Sequence, residues 1–184
     1  MMLTLISTRG KFTLTAIALF LISILLVFFL PISVTETLYF DKANIVLLTP
    51  ATNMTHLLIS LVLVIFAFVL LALKRNWFTY ILSILVMITG LVWSSLSVLN
   101  YTAIQEEQIV IKYYDGVTTY PWTSINEVVY EYFEDRNGHY IFTTTDGQQI
   151  RIDETAKFTS VVKSEIYTTA RAQEISFIER AANE

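Results

Sequence analysis

Residues 57–99 constrain this chain most. Two apolar runs, 57–73 and 77–99, are separated only by Lys74-Arg75-Asn76, and neither run carries a charged side chain. Fourteen of the seventeen residues in the first run are Leu, Ile, Val or Phe. Each such residue near a helix centre favours insertion by about 0.3–0.6 kcal/mol, so that run alone contributes roughly 4–8 kcal/mol. A three-residue joint forces the two helices to lie side by side. Residues 13–30 add a third uncharged run, ~27 Å long as a helix against a hydrocarbon core of ~30 Å. Arg9 and Lys11 ahead of it also suit a secretory signal. The apolar run is longer than a signal core, however, and no small-residue cleavage pattern follows Pro31, so an uncleaved helix is expected.

Charge divides the chain in two. Residues 100–184 hold fourteen acids and seven bases, a net of −7, while the remainder carries +3. An acidic module argues against nucleic acid and against docking on an anionic lipid surface, since both need clustered Lys or Arg. The absence of cysteine excludes disulfides, zinc-thiolate sites and thiol catalysis. Arg9, Lys11, Lys74 and Arg75 fall on one side of a three-span arrangement, against Lys42 and Lys112 on the other. The positive-inside rule then puts the amino terminus in the cytoplasm and the acidic domain outside a cell membrane.

The connection 31–55 is long for a simple link and is not polar. Residues 34–40 and 44–48 are β-prone runs around Asp41-Lys42-Ala43, and they predict a hairpin that packs on or pairs with the later strands. Lying in the membrane interface is the competing expectation. Asn53-Met54-Thr55 and Asn100-Tyr101-Thr102 match glycosylation sequons at about the frequency chance supplies. In the run 77–99, the third helix in chain order, Thr79, Ser83, Met87, Gly90, Ser94 and Ser97 recur at steps of three or four. This stripe predicts a packing seam against the other two helices, with a homo-oligomer through Gly90 and Ser94 as the alternative.

After Asn100 the period changes from helix to strand. Five runs, 109–114, 117–122, 127–133, 139–145 and 148–153, are punctuated by Asp115-Gly116, Asn137-Gly138 and Asp146-Gly147. Such dipeptides favour type I′ hairpins, whose central residues need positive φ. From Thr159, a candidate N-cap, Val162, Ile166 and Ala170 form one apolar helical face, and Ile175, Phe177 and Ile178 partly extend it. The expected class is therefore an α+β membrane protein. It has four parts: 1–30 with its helix at 13–30, the extracytoplasmic loop 31–55, a helical hairpin at 56–99, and a β domain at 100–184 closed by a carboxy-terminal helix.

The stretch Tyr120-Pro121-Trp122-Thr123-Ser124-Ile125-Asn126-Glu127-Val128, the later Asp146-Gly147-Gln148 and the terminal helix together resemble the bacterial pleckstrin-homology-like (PH-like) domains over about residues 104–178. The resemblance implies a small barrel of seven strands beside two or three membrane helices, with no shared catalytic residues. Phosphoinositide-binding members carry basic residues in their first hairpin. Here that hairpin has Lys112 beside Asp115, which argues against headgroup binding.

No catalytic, cofactor-binding or metal-binding residues are assigned, and no cofactor is expected. His56 and His139 lack partners at metal-ligand spacing. Asp135-Arg136-Asn137-Gly138 lacks the later ligands of a calcium loop, and Glu106-Glu107 and Glu134-Asp135 fall at solvated strand ends. Tyr113, Tyr114, Tyr130, Tyr132 and Phe133 are assigned to strand core, with an exposed aromatic face as the alternative. The expected function is a membrane-anchored binding or scaffold module, not an enzyme, that contacts a protein partner in envelope sensing or immunity. A structural subunit of a larger membrane complex is the second reading.

Overall fold

The computed structural model describes residues 7–182 and divides into two compact units. One comprises the described residues up to Tyr39 together with Thr49–Tyr101. The other comprises Phe40–Leu48 together with the residues from Thr102 onward.

The helical unit contains α1 (Thr8–Leu38), α2 (Ala51–Leu73) and α3 (Trp77–Ser95), the last continued by a 3-10 turn at Leu96–Val98. All three are long and apolar enough to cross a membrane. Asn76 caps α3, its side-chain oxygen accepting from Thr79 N at 2.8 Å, so the short joint both ends one helix and starts the next. Gly90 sits where a Cβ would lie 3.1 Å from the Ser60 carbonyl oxygen, and Ser60 Oγ donates to the Gly90 carbonyl at 2.7 Å. Thr79, Ser83, Gly90 and Ser97 are buried while Met87 and Ser94 are half-buried, so four residues of the small-residue stripe pack inside the chain. Both sequon asparagines are buried as well. Asn53 Nδ2 donates to the Asn100 carbonyl at 2.7 Å, and Asn100 Nδ2 donates to Asn53 Oδ1 at 2.9 Å. This reciprocal pair ties the start of α2 to the end of the α3 segment, and neither side chain is open to glycosylation in the fold.

The first helix corrects the expected boundaries. Instead of ending near Leu30, α1 runs through Pro31 to Leu38, about 46 Å in all, and takes in most of the run expected as a strand at 34–40. The predicted hairpin of 34–40 with 44–48 therefore does not form. Pro31 and Thr35 are buried, and Tyr39 stacks on Tyr101 with ring centroids 4.4 Å apart. Packing of this turn outweighs the β propensity of Val34, Thr35 and Thr37, whose intrinsic preference is worth only tenths of a kcal/mol per residue.

The second unit is built from two four-stranded sheets and one helix. The first sheet has the order β1-β2-β3-β4, from β1 (Asn44–Leu48), β2 (Tyr101–Gln105), β3 (Gln108–Tyr113) and β4 (Gly116–Pro121). The second has the order β7-β6-β5-β8, from β5 (Ile125–Tyr132), β6 (His139–Thr144), β7 (Gln149–Asp153) and β8 (Ser176–Ala181). Helix α4 (Ser160–Ala172) starts at Thr159, whose side chain accepts from Val162 N, and buries Ile166 and Ala170. One core joins these parts: Val46 and Leu48 from β1, Ile104 and Ile109, Trp122, Val128, Tyr140, Phe142, and Ile166 of α4. Trp122 is 1% exposed and donates its indole N–H to the Gln105 carbonyl at 2.9 Å, which satisfies the one polar atom its burial would orphan.

Strand count and the chain's end also depart from expectation. Seven strands follow Asn100 instead of five. The apolar tail assigned to the helix breaks at Glu174, the one described non-glycine residue with positive φ, at 59°. Beyond it, Ser176–Ala181 pairs in parallel with β5, matching Glu127 to Ser176 and Tyr132 to Ala181. Of the three glycine turns, only Gly147 takes a positive φ, 84°. Gly138 serves close approach instead, since a Cβ there would lie 2.4 Å from the Glu131 carbonyl oxygen.

The register of β1 on β2 is directly testable because the chain has no cysteine. Leu47 lies opposite Ala103, at a Cα separation of about 4.5–5.5 Å for an antiparallel pair, within disulfide range. Under mild oxidation a Leu47→Cys, Ala103→Cys variant should close a disulfide, seen as a mobility shift without reductant. A control pairing Leu47→Cys with Thr118→Cys should not shift.

Candidate interaction surface

Strand β4 reads Gly-Val-Thr-Thr-Tyr-Pro and holds no charge. It pairs with β3 from Tyr113↔Gly116 to Gln108↔Pro121, and among the described residues no strand lies on its other side. The phase of its hydrogen bonds follows from one contact just beyond its end. Trp122 N–H donates to the Glu107 carbonyl at 3.2 Å. Hydrogen-bonded pairs alternate along an antiparallel ladder. Positions 120, 118 and 116 therefore bond inward to β3, while Val117 and Thr119 turn their N–H and C=O to the open side. Pro121 falls on that open side too, where its missing N–H costs no ladder bond.

The hairpin's side chains are as open as its backbone. Val117 is 56% exposed, Tyr113 53% and Tyr114 67%, while Tyr120 is half-buried against the core. The other three outer strands are protected. Strand β7 carries Arg151 and Asp153, paired at 2.9 Å, and β8 carries Glu179 and Arg180. Val46, Leu47 and Leu48 of β1 are buried. Natural edges are normally blunted by charge, bulges or cover. β4 has only its terminal proline.

The five aromatic residues assigned to strand core divide between surface and interior. Tyr113 and Tyr114 are exposed, as is Tyr132 at 45%. Tyr130 is half-buried and packs on Tyr140 at 4.7 Å, and Phe133 lies under the Arg136 guanidinium at 3.9 Å.

A second feature of this unit is a polar groove of about 540 Å³ lined by Glu131, Arg136, His139, Arg151, Asp153 and Glu154 among others. Glu131 accepts from Arg180 Nε at 2.9 Å and Nη2 at 2.5 Å, and lies 2.8 Å from His139 Nε2. The Arg180 hydrogen bond, outweighing burial, holds its carboxyl below the ordinary value of 4.5. For Glu154, burial acts to raise the pKa. The ammonium of Lys163 at 2.6 Å and the Tyr130 hydroxyl at 2.6 Å outweigh it, so this carboxyl also titrates below 4.5. Lys163 is correspondingly raised above 10.5, its two hydrogen bonds overcoming the cost of burial. Glu131, Asp153 and Glu154 each have a cationic partner, and among the described residues no group of three His, Asp or Glu side chains could hold a metal ion. The groove is a clasp holding β8 to β5 and α4 to the β6–β7 pair. His139 takes part in it through a residue eight positions away in sequence. His56 lies in the helical unit, 6.0 Å from the Trp93 ring.

Both lowered carboxyls stabilise the fold while ionised. That contribution is complete above the unfolded value near 4.5 and disappears as pH falls through the lower folded values. In a Trp77→Phe, Trp93→Phe background, unfolding followed by Trp122 fluorescence should therefore show stability falling below about pH 4.5. A Glu131→Gln, Glu154→Gln variant should start less stable and lose less on further acidification. In comparisons with known proteins, no family model matches the chain and no curated protein matches it, so a functional reading rests on the open strand and its surroundings.

Proposed function

We propose that this chain is a membrane-anchored, non-catalytic binding module. Its three apolar helices anchor a PH-like, water-facing β unit to the bilayer, and the open edge of β4 takes a protein partner by strand addition. The observation that carries this reading is the uncharged strand with an open outer edge, since strand addition draws its affinity from free backbone donors and acceptors. Exposed Tyr113, Tyr114 and Val117 add side-chain area beside that backbone. The PH-like reading is supported by the strand count: with β1, seven strands precede α4, four in one sheet and three in the other. The competing role, a structural subunit, calls for an unsatisfied stripe on α3. The burial of Thr79, Gly90 and Ser97 weighs against it.

Two measurements test the proposal. A charge on an open strand edge discourages pairing, so Thr119→Lys should remove whichever protein co-purifies with the full chain from its native membrane. A lysine at the exposed Gln149 of β7 should leave that protein bound. Equal recovery from both variants would rule out the β4 edge. The proposed topology puts the amino terminus in the cytoplasm and the β unit outside. A lone cysteine at Gln148 should then react with an impermeant maleimide in intact cells, and one at Asn76 should not. The reverse pattern would place the β unit inside.

A further inference from the structure

We infer that the partner strand on β4 is β4 of a second copy of this chain, paired antiparallel about a twofold axis through Thr118. The inference rests on the reading of β4 as the partner-binding edge and names its occupant.

Three observations select a second copy. The first is register. A continuous antiparallel sheet with twofold symmetry has its axis perpendicular to the sheet, so the symmetry passes through one residue and opposed positions share a face. Centring on Thr118 sets Val117 opposite the second copy's Thr119, and both residues turn N–H and C=O outward in the phase fixed by Trp122 and Glu107. Four inter-copy hydrogen bonds result. Centring on Thr119 would set Val117 opposite Pro121, which has no N–H to give, so the sequence favours the first register.

The second observation is steric. In that register Gly116 lies opposite the second copy's Tyr120 on the same face as Thr118. A Cβ at Gly116 would meet nothing within 4 Å, and this residue adopts no positive φ, so the position leaves open space where the tyrosine arrives. The other face pairs Val117 with Thr119, two β-branched side chains of the kind that pack well across strands.

Charge is the third observation. A twofold contact brings the same patch of both copies together, and an acidic module with a net of −7 would oppose itself across most of its surface. Strands β7 and β8 carry Arg151, Asp153, Glu179 and Arg180, charges that a second copy would have to match in register and strip of water. Residues 116–121 bring no charge at all. Three apolar spans confine all copies to one bilayer, which raises their effective concentration for a four-bond contact too small to hold in free solution.

The test uses the full chain in its native membrane, with Thr118→Cys as its single cysteine. Opposed residues at a non-hydrogen-bonded position have Cα atoms about 4.5 Å apart, inside the disulfide range. Oxidation should give a covalent dimer from Thr118→Cys well above that from Gln149→Cys on β7 or Ser176→Cys on β8. Adding Thr119→Pro removes an outward N–H from each copy and no bond to β3, so it should return the Thr118→Cys dimer to the control level. Equal dimer from all three cysteines would mean collision only and would overturn the inference. A photo-crosslinker at Val117 separates the remaining outcomes. No Thr118→Cys dimer, but a different protein captured at Val117 and lost with Thr119→Lys, overturns the second copy and leaves the partner edge standing. No adduct at either position overturns both.

Discussion

The pairing of β1 with β2 is the contact on which the β unit depends. β1 comes from the segment between the first two helices, yet it supplies Val46 and Leu48 to the core and closes one side of its sheet. Its register, Leu48 on Thr102 through Asn44 on Gln105, is pinned at the far end by the Gln105 amide on Asn44 Oδ1 at 2.8 Å. Glu106 N–H donates to the Ala43 carbonyl at 3.0 Å just beyond, and Lys157 Nζ caps the Leu47 carbonyl at 2.6 Å. Without this strand the sheet would open Ile104 and Ala103 to water, and both are now almost wholly buried. Burying each aliphatic side chain of β1 contributes ~1.5–3 kcal/mol. That explains why a segment linking two apolar helices leaves them to join the later strands.

Charge is distributed so that most edges of the β unit are closed and one is open. Glu131, His139 and Arg180 bind β8 to β5 and β6, and Glu154 with Lys163 and Tyr130 binds α4 to β5. Exposed pairs of this kind contribute little individually. Their carboxylates are mostly shielded, however, with side chains 15% and 13% exposed, and each accepts more than one hydrogen bond. β4 has no counterpart to these pairs. A strand that is neutral, ends in proline and is exposed at every position but Tyr120 differs from its protected neighbours in composition as well as position.

The helical unit calls for a different rule: for helices long and apolar enough to cross a membrane, apolar burial in a bilayer would give no preference for one another over lipid. Close approach does. Gly90 admits the Ser60 backbone, the Ser60 hydroxyl donates back to Gly90, and the Asn53–Asn100 pair joins the ends of two segments. These contacts explain polar residues that otherwise look out of place in a sequence this apolar.

How much of this was legible in the sequence follows from the range of each cause. The three apolar helices, the N-cap at Thr159 with its Val162–Ile166–Ala170 face, and the hairpin around Gly147 depend on residues within a few positions, and local pattern reveals them. Where competition between distant partners decided the outcome, pattern failed. Residues 34–38 have strand composition but continue α1 because Pro31 and Thr35 are buried there, and Ser176–Ala181 looks like a helix tail but finds β5. The Glu131–Arg180 and Tyr130–Glu154 contacts join residues 49 and 24 positions apart and leave no local signal. The candidate site shows the same division. Sequence alone determined that β4 carries no charge and ends in proline. Only the tertiary structure decided that it lies at the outside of its sheet, because strand order is set by which pairings bury the most apolar surface at once.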